Sequence, residues 1–165
     1  MFPVSGFFDI SGSPALKLTL HSPDSPAQSQ EFDAIIDTGF TGFVLMAMNK
    51  ALPLGFKKPT TTTDVELADG SVNPRTLVEG TAMVEDRRVN GPIILEEEGN
   101  EVLVGMDFLR TFELVLILDS TRVMLLDEVR VKKMIRSSQS RARQELVVRQ
   151  YVSPIVRILS KLFGS

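Results

Sequence analysis

The stretch AIIDTGFTG, Ala34 to Gly42, brings an aspartate to the end of an apolar run and surrounds it with Thr38, Gly39, Thr41 and Gly42. The apolar residues read as a buried strand, so Asp37 emerges from the interior at a sheet end. Gly39 permits backbone geometry and a close approach that a side chain would block. An ionised carboxylate in such a place is costly unless amides, hydroxyls or a second carboxylate share the burden. Two facing aspartates that share one proton meet that cost and gain a chemistry, because one can take a proton from a bridging water while the other donates to a carbonyl. That chemistry needs two copies of Asp37, yet Asp-Thr-Gly occurs once and no internal repeat supplies a second. A two-fold homodimer meets the requirement by bringing one Asp37 from each subunit to the axis.

The rest of the chain bounds what surrounds this loop. Its 165 residues and hydrophobic fraction of 43% suit one ordinary domain with room for a tail. With no cysteine, neither a disulfide framework nor a thiolate metal site can form. The opening MFPVSGFFDI has no basic leader and no long apolar run, and no membrane-spanning stretch is evident. The expectation is a soluble, cytoplasmic protein. The net charge of -3 hides an asymmetry: residues 1–128 carry 9 Lys and Arg against 20 Asp and Glu, whereas residues 129–165 carry 9 basic residues against Glu145 alone. An acidic body over 1–128 with a basic appendage over 129–165 follows.

Within the body, turn signals recur at short intervals: SGSP, HSPDSP, ADGS, EDRRVNGP and EEEGNE. Between them ALKLTLH alternates, FDAIID is mostly apolar, TLVEGTAMV alternates again, and ELVLILD with RVMLLDE forms a hairpin pattern around Asp119 to Thr121. Only Met48 to Leu54 and Met106 to Thr111 look helical. A mainly β, closed and strongly bent sheet with one or two short helices is expected. The tail differs: from Arg141, apolar residues recur at helical spacing with Arg149, Arg157 and Lys161 between them, and Pro154 should kink the resulting amphipathic helix. RSSQSRARQ before it reads as a polar linker.

AIIDTGFTGFVLM, then ALPLGF, VELADGS and EVLVGMDFLRTFELVLILDSTRVMLLD together resemble, in content and order, the bacterial retropepsin-like aspartic proteases, relatives of the retroviral proteases. The resemblance spans roughly Pro3 to Asp127. It implies a closed acid-protease barrel and an endopeptidase working as a homodimer, with no metal or organic cofactor. It makes Asp37 the catalytic aspartate, Thr38 the residue whose hydroxyl interlocks with its counterpart across the dimer, and Gly39 the one whose amide supports the carboxylate. Ala68, Asp69 and Gly70 fall where that family has its flap, a hairpin folding over bound peptide. Leu103 to Gly105 match the segment packed beneath the active-site loop. Phe40 stands where retroviral relatives have a small residue, and is expected to narrow the substrate cleft.

Other readings sit beside these. The rival for the body is a non-catalytic dimer of the same fold that binds extended peptides or partner proteins. Asp107 reads as a helix N-terminal residue rather than a second carboxylate, and Asp33 as an outward-facing residue of its strand. A lone His21 with no cysteine supports neither a zinc site nor a Ser-His-Asp triad. The basic tail admits packing on its own body or on the dimer partner, attachment to an anionic membrane surface, or disorder; without aromatic interleaving, no nucleic-acid partner is expected.

Overall fold

The computed structural model describes residues 4–56, 62–66 and 72–138, with the backbone alone for 62–66 and 72–74. Two compact units divide the chain, Met1–Asp127 and Glu128–Ser165. In the first, the strands in chain order are β1 (Val4–Ser5), β2 (Phe7–Phe8), β3 (Pro14–His21), β4 (Gln30–Ile36), β5 (Val44–Ala47), β6 (Thr62–Glu66), β7 (Val72–Val84), β8 (Arg87–Glu96), β9 (Val102–Val104), β10 (Leu114–Leu118) and β11 (Val123–Asp127). Two short helices, α1 (Met48–Ala51) and α2 (Met106–Thr111), interrupt them.

The alternating sequences fold as their period dictates. In β3, Leu16, Leu18 and Leu20 point into the core while Lys17 faces solvent. Strand β3 pairs antiparallel with β4, and β4 parallel with β9; β9 then runs antiparallel to β5, and β5 parallel to β8. Strand β7 pairs with β8 and returns to β3 through Thr19↔Met83 and His21↔Thr81, which closes a six-stranded barrel. A separate three-stranded sheet has the order β1-β11-β10. The expected closed β fold, with short helices where Met48 and Met106 begin them, is the observed one.

The barrel interior and α2 meet through three phenylalanines. Phe108 lies 5.3 Å from Phe43 and 4.6 Å from Phe112, ring centroid to ring centroid, and all three are fully buried. Such offset aromatic contacts add to the area they bury. Arg87 covers the outer side of this cluster, donating to the Phe112 carbonyl with its guanidinium 5.7 Å from the Phe112 ring.

Two sequence expectations are corrected. EDRRVNGP is not one turn: the chain reverses at Glu85, with φ of 53°, and Asp86, then runs as β8 through Asn90, Gly91 and Pro92. Gly91 is there because the Phe43 ring occupies its side-chain position, 2.7 Å from where a Cβ would stand. Pro92 is tolerated because the ladder with β5 begins only at Ile93, so that side of β8 asks no N–H of it. The second correction lies in the other unit. Residues 128–138 form a helix, α3, so Arg136 to Ser138 are helical rather than linker. This segment has neither Gly nor Pro, Glu128 and Lys132 pair across one turn at 2.6 Å, and Ser137 and Ser138 donate to the Met134 carbonyl. The amphipathic helix expected from Arg141 onward lies outside the described residues. Among the described residues, no helix is long and apolar enough to cross a membrane.

The β10–β11 hairpin turns on Asp119. The Thr121 amide, the Arg122 guanidinium and the Thr121 hydroxyl hold its carboxylate well below its usual range, at about 2. A folded value below the unfolded one means that the turn contributes stability above pH ~4 and loses it as pH falls through about 2. Asp119→Asn should therefore flatten the pH dependence of the urea midpoint between those limits. Phe108→Ala, which empties the centre of the aromatic cluster, should cost about 3–5 kcal/mol by urea denaturation with the slope unchanged.

Candidate active site

Asp37 follows directly on β4, whose last residue, Ile36, is buried, and is itself half-buried. Parallel pairing of Ile36 with Val104 brings the end of β9 to the same place, and antiparallel pairing of Val44 with Val104 brings the start of β5 there too. The loop 37–43 therefore spans the ends of two strands that flank β9. Four main-chain hydrogen bonds hold it. Asp37 N–H donates to the Val104 carbonyl at 3.0 Å, Gly105 N–H to Phe43 at 3.2 Å, Met106 N–H to Phe40 at 2.8 Å, and Asp107 N–H to Thr41 at 3.1 Å. The last three come from the segment that opens α2, so amides a helix start leaves without intrahelical partners are spent on the loop.

Within the loop, Gly39 N–H donates to Asp37 Oδ1 at 2.8 Å and Phe40 N–H to the Asp37 carbonyl at 3.2 Å. The carboxylate is thus oriented by an amide two residues on, as in an Asx turn. Thr38 and Gly39 are exposed at the top of the loop. Phe40 is half-buried and folds back: its ring lies where a Cβ on Gly42 would stand and 2.7 Å from where one on Gly105 would. Gly105 is further confined by the carbonyl oxygens of Gly42 and Phe40. Both glycines are thereby accounted for by close approach. Phe40 braces the loop from outside, as Phe43 anchors it from inside.

The remaining sequence candidates separate clearly. Asp107 turns its carboxylate to Arg110 at 3.0 Å, away from any role as partner to Asp37. Asp33 pairs with Lys17 at 2.5 Å on the exposed face of β3 and β4. His21 is buried at the far end of β3, its Nδ1 2.9 Å from the Ser22 carbonyl. Among the described residues, no group of three or more His, Asp and Glu side chains could hold a metal ion. Ala68, Asp69 and Gly70 lie outside the described residues, but β6 pairs with Val72 to Thr76 while β8 joins β7 only from Thr76 onward. A two-stranded arm therefore extends past the end of β8. The amides of Met106 and Asp107 are site residues that sequence reasoning passed over; their signal was the glycine of LVG meeting that of FTG.

No family model matches the chain, and no curated relative does. Among solved structures the chain is similar to a retropepsin-like aspartic protease from Rickettsia conorii, at 15% identity and a TM-score of 0.55, over 75% of this chain and 88% of that one. It is similar also to the EIAV protease complexed with an inhibitor, at 13% identity and a TM-score of 0.51, over 67% of this chain and 98% of that one. At these identities the likeness establishes the fold: the body is a retropepsin-like β barrel.

Gly105→Ala should lower stability by about 1–3 kcal/mol, because its Cβ meets carbonyl oxygens that cannot move without breaking the clamp. Gly42→Ala should be rescued by Phe40→Ala, since there the obstacle is one side chain, whereas Gly105→Ala should not. A double-mutant cycle in urea distinguishes the two.

Proposed function

We propose that this protein is an aspartic endopeptidase that works as a homodimer, with one Asp37 from each subunit. The observation that carries the reading is a single carboxylate, half-buried at a strand end and oriented by the Gly39 amide, on a loop held by four main-chain bonds in a retropepsin-like barrel. A site so rigid suits catalysis, which gains from groups positioned before substrate arrives.

In the dimer, one Asp37 is ionised and the other protonated, because like charges so close cannot both ionise. The ionised carboxylate takes a proton from a water between them as the water oxygen attacks the scissile carbonyl carbon. The protonated carboxyl donates to the carbonyl oxygen. The tetrahedral intermediate then collapses: the C–N bond breaks, the amine nitrogen takes a proton, and the pair returns to sharing one. Thr38, at the top of each loop, bonds its counterpart and fixes the spacing. The β6–β7 arm serves as a flap whose main chain holds an extended peptide as an added strand, with Ala68, Asp69 and Gly70 proposed to meet the substrate. Neither a metal nor an organic cofactor is needed for these steps.

Asp37→Asn should abolish cleavage of an unfolded protein while leaving circular dichroism and dimer mass unchanged. Cleavage that survives the substitution would falsify the mechanism. Peptide binding without any cleavage by the unsubstituted protein would leave the fold to a binding role instead.

A further inference from the structure

Among the described residues of the first unit, four large apolar side chains are exposed: Phe8, Ile10, Leu52 and Leu118. Two of the four sit on one hairpin, β2 to β3, whose turn runs from Asp9 to Ser13. Scattered singly, such residues need no explanation; two together on one short hairpin do. Ile10 stands wholly in solvent, at 108% exposure, and Phe8 at 36%.

The turn holds a fixed shape. Asp9 N–H donates to the Ser13 carbonyl at 2.9 Å, and Gly12 N–H to the Asp9 carbonyl at 3.0 Å. The Asp9 carboxylate accepts from the Ser11 amide at 2.9 Å, the Ser11 hydroxyl at 2.7 Å and the Ser13 amide at 2.8 Å. The one charge in Asp9 to Ser13 is thus satisfied by the turn itself, and Ile10 is presented on an ordered backbone. A contact ordered beforehand costs less entropy to make.

Strand register places this turn beside the candidate active site. Ala15 pairs with Ile35, and the same antiparallel order carried on two positions brings Ser13 level with Asp37. Phe8 pairs with Pro14, so Asp9 lies beside Ser13 on its other side. Asp37, Ser13 and Asp9 therefore stand in a row at one end of the sheet. Neighbouring strands are about 4.8 Å apart, which puts Asp9 roughly 10 Å from Asp37 and Ile10 one residue further. The Phe7 ring lies 5.8 Å from Lys17 Nζ on the outer face, so alternation turns Phe8 to the face that Leu16 lines.

We propose that Ile10, with Phe8 behind it, is a specificity-determining contact for an apolar side chain of the peptide substrate, about three or four residues from the scissile bond. That spacing follows because an extended peptide advances about 3.3 Å per residue. A peptide is the occupant because the turn flanks the place where the scissile bond lies and offers no free charge to an ionic partner. Two-fold symmetry supplies one Ile10 from each subunit, so the apolar preference falls on both sides of the bond. This inference rests on the endopeptidase reading above and adds to it which side chains select the substrate.

Fluorescein-labelled peptides that carry either Leu or Ser at the third and fourth positions on both sides of the central bond provide the test. Binding is read by anisotropy on the full chain bearing Asp37→Asn, which keeps the probe intact. The Leu peptide should bind at least about tenfold tighter than the Ser peptide. Adding Ile10→Ser should erase that preference, Ile10→Leu should keep it, and Leu52→Ser, in the segment after α1, should leave it unchanged. Because Ile10 is fully exposed, its substitution should not move the thermal midpoint. A preference for Leu that survives Ile10→Ser, or affinity for both peptides lost together, overturns the contact and leaves the protease standing. A preference that Ile10→Ser erases, in a chain whose unsubstituted form cleaves neither peptide, overturns the endopeptidase and leaves the contact. Failure to bind either peptide overturns both.

Discussion

The proposed active site hangs on the main-chain clamp between the Asp37 loop and the segment Val104 to Asp107. Its bonds join residues that lie more than sixty positions apart in the chain, and both partners are backbone groups, so no side-chain substitution directly removes one. The clamp exists because β4 and β9 run parallel with Ile36 beside Val104, which ends both strands at one level. A helix begins immediately after β9, and its unpartnered amides point at the loop carbonyls. The loop is thus ordered by groups that would otherwise need water or caps.

Sterics complete what hydrogen bonds begin. Gly105 allows the two backbones to touch, Phe40 fills the outer side, and Phe43, Phe108 and Phe112 fill the inner side. The same Phe43 reaches β8 at Gly91, so one aromatic residue connects the loop, α2 and the far wall of the barrel. Asp37 is the carboxylate this loop brings forward, and Gly39 N–H donates to it. A carboxylate held so firmly makes the two-fold partner a chemical requirement of the proposed reaction rather than an accessory.

Much of this was legible in residues alone. Period-two alternation marked β3 and β7, the hairpin signal at Asp119 marked β10 and β11, and an apolar run ending in Asp-Thr-Gly marked the strand that delivers the carboxylate. The tail from Glu128 was harder, because charged residues without Gly or Pro read equally as a linker or a solvated helix, and the i,i+4 pair of Glu128 with Lys132 decides it locally. Asn90-Gly91-Pro92 misleads for an instructive reason. Gly and Pro are turn residues by local preference, but here one yields space to an aromatic ring from another strand and the other sits where a ladder has not yet begun.

Residue order therefore marks several of the strands, the residue proposed to carry the chemistry, and the need for a second copy of it in the proposed reaction, because periodicity and the cost of a lone carboxylate are local properties. How that carboxylate is held is settled only in the closed barrel. Parallel pairing of β4 with β9, the turning of α2's first amides onto the loop, and the folding of Phe40 over Gly42 and Gly105 each depend on contacts between distant segments. AIIDTGFTG supplies Phe40 and Gly42 to those contacts, but Val104 to Asp107 meet them only when the barrel closes.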